Sequence, residues 1–252
     1  MKISVITVTY NAAQFVEGTI LSVLAQTYKH IEYVIIDGGS KDGTLNIIKK
    51  YETSIARWVS EPDKGLYDAM NKGIQFATGD FILFMNAGDR FFANDVLEVA
   101  MRQSTPDTDI LYGETMYVDE ARHHLGTRSQ VTTQQLPEKL LPSSFRMGMV
   151  VSHQSLLVRR SIAPSFLLNN LSADIDWTIR AVKAARKTQN THQIIAEFLV
   201  GGVSKQRHWA SLKGRFAVLS AHYGLFPTVL VHIAMVGRAA WHRLTRLGKP
   251  VQ

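Results

Sequence analysis

Residues 3–8, 31–36 and 81–85 are short runs rich in apolar and β-branched side chains, and the stretches between them carry apolar residues at helical spacing. Runs this short that stay largely apolar at successive positions predict strands covered on both faces. Leu66, Ala69, Met70, Gly73, Ile74 and Ala77 recur three and four apart, which predicts a helix with one apolar face. Gly79 stands where that helix would need a left-handed closing residue. Further helices are predicted over 15–24, 45–51 and 95–102, with a short strand at 58–59 before Glu61-Pro62. Strands alternating with helices in this way predict an α/β fold, a doubly wound and mostly parallel sheet with helices on both faces.

Past residue 89 the rhythm changes. Strands are predicted at 110–113, 115–118, 152–158 and 193–200, with a segment near 124–128 pairing onto 115–118. Residues 129–148 read as irregular, and a helix opens at 172–177 and runs through 185. Residues 225–241 are apolar and helix-compatible but contain His232 and Arg238, and Arg238, Arg243, Arg246 and Lys249 make the end of the chain basic. Such a segment suits an anionic membrane surface, and it equally suits a helix packed on its own domain. The expected organisation is one domain over 1–207, in halves 1–113 and 114–207, followed by a basic amphipathic helical tail over 208–252.

Composition narrows the classes. A chain of 252 residues is long enough to bury a substantial core, and the absence of cysteine excludes disulfides and thiolate metal sites. A formal charge of +7 favours anionic partners. Basic and aromatic residues do not interleave on any recognisable reader element, so no nucleic-acid partner is expected. The N-terminal residues lack a long apolar region and a small-residue cleavage site. The expectation is a cytoplasmic protein, peripheral at the inner membrane face.

Two nucleotide-binding fingerprints are missing. The first strand-to-helix turn, residues 7–11, has no glycine, and no GxxxxGK[ST] occurs. Carboxylates stand elsewhere: Asp37 and Asp89 fall just past predicted strands, at the edge where open α/β sheets bind ligands, and Asp174 begins a predicted helix. An acidic group at such an edge can hold a hard cation, and Gly88 lets a ligand approach the backbone.

The motifs ITVTYN (6–11), DGGSKDGT (37–44), SEPDKGLYDAMNKG (60–73), GDFILFMNAGD (79–89), SHQSLL (152–157), ADIDWTIR (173–180) and GGVS (201–204) resemble, in order, those of a family 2 glycosyltransferase with the GT-A fold. The resemblance is to enzymes of bacterial exopolysaccharide synthesis, such as the colanic-acid type. It implies inverting transfer from a nucleotide-diphosphate sugar, UDP by default and GDP as the other option, to a saccharide or lipid-linked acceptor hydroxyl. Thr9, Tyr10, Asn11 and Asp37 then correspond to positions beside the base and ribose, and Asp63 and Asn71 to the donor-binding stretch. Asn86, Ala87 and Gly88 take the place of the DxD motif. Asp89 is left as the one carboxylate there, expected to ligate Mn2+ or Mg2+. Asp174 matches the family's catalytic base, with Asp176 as runner-up, and His153, Gln154 and Arg180 fall on the acceptor side. The family's usual Arg is Met70 here, and its acidic pair is reduced because Ala173 precedes Asp174. The alternative reading is a GT-A-fold binding protein whose catalytic site has decayed.

Overall fold

The computed structural model describes residues 1–201 and 208–234. At its centre β1 (Ile3–Thr9) pairs in parallel with β2 (Ile31–Asp37) on one side and β4 (Phe81–Phe84) on the other. Beyond β2 lies the parallel β3 (Arg57–Ser60). The crossovers between these strands are α1 (Ala13–Leu24), α2 (Thr44–Lys50) and α3 (Leu66–Phe76).

The other half of the sheet is mixed. β8 (Leu156–Arg159) runs antiparallel between β4 and β6 (Ile110–Val118), and β9 (Thr188–Leu199) runs parallel to β6. A two-residue strand, β5 (Arg90–Phe91), closes the edge against β9, giving the order β3-β2-β1-β4-β8-β6-β9-β5. The hairpin strand β7 (His124–Thr127) pairs with β6 as expected. The remaining helices are α4 (Val96–Arg102), the single turn α5 (Arg128–Val131), α6 (Ala173–Ala184) and α7 (His208–Tyr223), after which residues 225–234 are again helical.

Period-two alternation divides the strand side chains between two cores. Ile6, Val8, Val34, Ile36, Ile82 and Phe84 pack with Met70 of α3, Trp177 of α6 and Leu219 of α7. Val5, Tyr33, Ile35, Phe81 and Leu83 pack with Ile20 of α1, Ile48 of α2 and Leu97 of α4. Both faces are therefore covered, which is why every residue of β1 is buried and why the strand reads as an uninterrupted run. Met70 is a core residue, and burial of a side chain this size stabilises the fold by about 1.5–3 kcal/mol.

Several expectations need correction. The strands expected at 110–113 and 115–118 are one strand, β6, which passes through the 113/114 boundary and changes register against β9 there. The first part of 152–158 is a tight turn, His153–Ser155, because β8 begins only at Leu156. Gly79 does not close α3: that helix ends at Phe76 with Ala77 extended, and Gly79 instead lies against the backbone of Ser4, where a Cβ would sit 2.7 Å from Ser4 N. The irregular 129–148 stretch contains α5 and a second short turn, Pro142–Phe145. Residues 202–204 of the GGVS motif and the tail beyond 234 lie outside the described residues.

Candidate active site

Parallel register brings Thr9, Asp37 and Ser60 side by side at the carboxyl edge of β1, β2 and β3. The loop after β2 folds back on Asp37. One carboxylate oxygen accepts from the backbone N–H groups of Gly39 (3.0 Å) and Ser40 (2.9 Å) and from the Ser60 hydroxyl (2.6 Å). The other accepts from the Ser40 hydroxyl (2.5 Å). Asp37 is buried, so the expected hydrogen bond to base or sugar gives way to an internal clamp. Asn11, at a left-handed φ of 46°, also works on loops: its N–H donates to Ser40 Oγ (2.8 Å) and its Oδ1 accepts from Lys41 N–H (2.9 Å).

Gly38 follows the clamped Asp37. A Cβ on Gly38 would lie 2.5 Å from Asp63 Oδ2 and 3.3 Å from the Tyr10 ring, so both side chains pack close over its bare backbone. Tyr10 is 63% exposed, a flat aromatic face offered to solvent at the ligand edge. Thr9 Oγ1 is buried and has no protein partner. Asp63 Oδ1 accepts from Gly65 N–H (2.7 Å), which fixes the carboxylate in place. Thr9, Tyr10 and Asp63 thus lie around the turn that follows Asp37. Asn71 does not join them, because its amide both donates to Phe166 O (3.0 Å) and accepts from Phe166 N–H (2.7 Å), pinning α3 to the 166 segment.

The loop after β4 is equally tied down. Gly88, at φ 106°, donates its N–H to Thr19 Oγ1 (3.0 Å), and the same hydroxyl donates to Asp89 O (2.7 Å). Arg122 donates to Gly88 O (2.6 Å). The Asp89 carboxylate is 4% exposed. Its Oδ2 accepts from Gln154 Nε2 (2.8 Å) and its Oδ1 from Leu199 N–H (3.0 Å). Burial pushes its pKa up to about 7, against the opposing pull of those two donors and of Arg122.

These residues do not fit a metal held by Asp89. Hard cations want exposed anionic oxygens, and both oxygens here are buried against N–H donors in a site that favours the protonated acid. Among the described residues no three His, Asp or Glu side chains form a metal-binding group. Gln154, as the buried partner of Asp89, is likewise not an acceptor contact. Beside it the Asn86 amide meets His153 Nε2 at 3.1 Å, while Asn86 Oδ1 is buried without a partner. Burial pushes His153 down to about 4, so the pair is neutral at physiological pH and offers hydrogen bonding rather than charge.

Asp174 differs from all of these. It sits half-buried in the first turn of α6 and has no ion pair among the described residues. Its nearest side-chain partner is Tyr67 of α3, whose hydroxyl donates to Leu171 O (3.1 Å) and lies 3.5 Å from Asp174 Oδ1. Burial raises the Asp174 pKa above the ordinary carboxylate value, and backbone N–H groups, Tyr67 and Arg215 of α7 act in the opposite sense. Asp176 fails as an alternative base. Arg180 Nε (2.8 Å) and NH2 (2.7 Å) hold one oxygen, and His222 Nε2 lies 2.8 Å from the other. Arg180 is accordingly a structural partner of Asp176 and Ser165 O, not an acceptor contact. His123 and His124 face separate carboxylates, Asp119 and Glu197.

Sequence reasoning did not single out Tyr67, Arg122 or Arg215. Tyr67 lies inside the SEPDKGLYDAMNKG motif and was within reach of it. The other two act through contacts between distant elements and leave no local pattern.

Residues 4–163, more than half of the chain, match the family model "Glycosyl transferase family 2", and the chain belongs to that family. An uncharacterised glycosyltransferase of Mycobacterium tuberculosis, Rv1514c, is 44% identical over 100 residues, 39% of this chain and 38% of that protein. The PGL/p-HBAD biosynthesis glycosyltransferase Rv2957 of the same species is 29% identical over 212 residues, 80% of this chain and 78% of its own. These two relatives are mycobacterial glycosyltransferases, and neither is named for exopolysaccharide or colanic-acid synthesis, the subgroup expected above. Staphylococcus aureus TarS 1-349 in complex with UDP-GlcNAc superposes over 88% of this chain and 66% of its own, with TM-score 0.71 and 19% identity. Mannosyltransferase PcManGT of Pyrobaculum calidifontis, in complex with GDP-Man and Mn2+, superposes over 98% and 79%, with TM-score 0.67 and 17% identity. At such identities the likeness establishes the fold, and it is the GT-A fold expected.

Proposed function

We propose that this chain transfers a sugar from a nucleotide-diphosphate sugar to an acceptor hydroxyl, with inversion, and that Asp174 is its base. The observation that carries the reading is the state of Asp174. Of the two carboxylates in the first turn of α6, it is the one without an ion pair among the described residues, held by backbone N–H groups and by Tyr67 at 3.5 Å. A base must accept a proton at the moment the hydroxyl attacks, and a pKa raised toward the working pH improves that transfer. Tyr67 links this carboxylate to α3, and the loop before α3 carries Asp63 beside Gly38. The groups gathered there suit a nucleoside: Tyr10 provides a stacking face, Asp63 accepts from base or ribose, and Thr9 Oγ1 is free to hydrogen-bond.

The structural relatives hold UDP-GlcNAc in one case and GDP-Man with Mn2+ in the other, which supports a uridine or guanosine diphosphate sugar as donor here. The donor set at 86–89 supports nucleotide binding with little dependence on Mn2+ or Mg2+. Asn86 and His153 meet the donor as neutral groups, and Asp89 holds the loop. The acceptor is a saccharide or a lipid-linked saccharide, in line with the relative named for PGL/p-HBAD biosynthesis.

Calorimetric titration of the full chain with UDP and with GDP, each with and without Mn2+, tests the donor half. One nucleotide binding at similar affinity in both conditions is expected, followed by slow release of that nucleotide from its sugars. Binding of neither by folded protein would sink the reading. Binding without turnover on any acceptor, unaltered by Asp174→Asn, would favour a decayed site.

A further inference from the structure

Residues 225–234 form a helix whose apolar side chains face outward. Leu225, Phe226, Val229, Leu230 and Ile233 fall at helical spacing on one face and are all exposed, Phe226 at 74% and Ile233 at 64%. The opposite side is where the helix rests on the protein, with Thr228 buried and its hydroxyl donating to Gly224 O (2.8 Å). Two clefts open beside the helix. One of about 320 Å³ is lined by Phe216, Val229, His232 and Ile233. The other, of about 560 Å³, lies between Leu230 and Val231 on one side and Arg146, His222 and Tyr223 on the other. A run of large apolar side chains presented this way marks an interaction surface.

Charge identifies what covers it. From residue 208 to the end the chain has Lys213, Arg215, Arg238, Arg243, Arg246 and Lys249, and no Asp or Glu at all. An apolar helix face in a segment of uniformly positive charge complements a surface that is oily inside and anionic outside. Among the described residues no helix is long and apolar enough to cross a membrane. A helix with one outward apolar face suits the plane of the interface. We propose that the 225–234 face docks this protein on an anionic lipid bilayer.

The docked face is also held in fixed relation to the site. α7 leads directly into it, and α7 is bound to α6 and the segment before it by three links. His222 pairs with Asp176, Ser172 Oγ donates to Ser211 O (3.0 Å), and Asn170 Nδ2 donates to Gly214 O (3.2 Å). Asp174 stands between those anchor points, so a bilayer-bound tail holds the first turn of α6 at a set position relative to the lipid surface. The corrected role of Asp176 and Arg180 is thereby part of the device.

Co-sedimentation of the full chain with vesicles tests this without reference to turnover. Phosphatidylcholine vesicles are compared with equimolar phosphatidylcholine and phosphatidylglycerol. Binding to the anionic vesicles alone is expected, weakened in 1 M NaCl, where the screening length shrinks from about 10 Å at 0.1 M to about 3 Å. The double variant Phe226→Glu/Leu230→Glu changes exposed positions only, and its thermal melt reports that the domain is intact. It should lose roughly tenfold or more of the vesicle partition, since both the apolar contact and the local charge are reversed. Wild-type protein left in the supernatant with both vesicle types overturns the proposal. So does equal binding to neutral vesicles, or a folded double variant that binds as wild type. A wild-type dimer that the double variant converts to a monomer, without vesicle binding, assigns the face to a second copy and overturns it too. None of these results bears on nucleotide binding, so failure here leaves the donor site standing.

Discussion

Asp174 and Asp176 share the first turn of one helix, yet they are in opposite chemical states. Asp176 has each oxygen held, one by Arg180 and the other by His222 of α7, and it serves to join two helices. Asp174 has no ion pair among the described residues, and its contacts are backbone N–H groups of its own turn and Tyr67 at 3.5 Å. Two residues along a helix turn a side chain to another face, which is why neighbours can differ so much. The sheet edge repeats the lesson. Asp37 and Asp89 occupy positions where a ligand-binding carboxylate would stand, and both are spent on backbone N–H groups. Carboxylates held on both oxygens serve the architecture, which leaves Asp174 for the role proposed above.

The sharpest test of that contrast is Asp174→Asn. Loss of a general base lowers turnover by about 10²–10⁴-fold, while calorimetric affinity for the donor nucleotide stays as it was. Asp176→Asn should do the reverse: near-normal chemistry per folded molecule, with a lower melting temperature as the His222 and Arg180 contacts weaken. Near-normal turnover in Asp174→Asn would erase the distinction.

The next largest effect falls on stability. Asp37→Ala strands the N–H groups of Gly39 and Ser40 and the hydroxyls of Ser40 and Ser60. Buried unsatisfied groups cost about 1–3 kcal/mol each, reduced where the loop can open to water, so a total of about 3 kcal/mol is expected in denaturant melts. Nucleotide affinity falls with it, because the clamp positions the Gly38 backbone beside Tyr10 and Asp63. A ligand-facing Asp37 would instead lose affinity at unchanged stability.

Asp89 gives a smaller, pH-dependent effect. Its folded pKa of about 7 lies above the roughly 3.9 of an unfolded Asp, so the folded state holds the proton more tightly. Its contribution to stability is complete at low pH and is lost as pH rises through about 4 to 7. Asp89→Asn cannot ionise, so its melting temperature relative to wild type should rise between pH 5 and pH 8. A gain of about 2–4 °C corresponds to 1 kcal/mol in a chain of this size. A metal-ligating Asp89 would show no such gain and would lose Mn2+-dependent nucleotide binding instead.

Much of this was legible in residue order. Strands buried on both faces show as unbroken apolar runs, and both β1 and β4 were found that way. The first-half crossovers followed from periodicity, and the order of the motifs led to the family. What could not be read is which acceptor atoms are already filled. Asp89 looks like a cation ligand in NAGD, and only the approach of Gln154 and of Leu199 from far along the chain shows otherwise. Asn71 is the same case, its amide consumed by Phe166. The two-residue β5 is too short to carry a period, and the turn at His153–Ser155 has none.

Tyr67→Phe sharpens the comparison most finely, because it changes the surroundings of Asp174 and leaves the carboxylate itself. The Tyr67 hydroxyl is kept protonated by burial and by its acidic neighbour, so its one proton is shared between Leu171 O at 3.1 Å and Asp174 Oδ1 at 3.5 Å. A donor stabilises the ionised carboxylate and holds its pKa down. Removing the donor should therefore move the acid limb of the kcat profile to higher pH. At a pH below that limb less of the base is ionised, and turnover drops about two- to fivefold, the worth of one weak hydrogen bond. At high pH, where the carboxylate is ionised in both proteins, the difference narrows. A structural hydroxyl that merely braces α3 against α6 would lower kcat equally at every pH, so the shape of the profile decides which role Tyr67 plays.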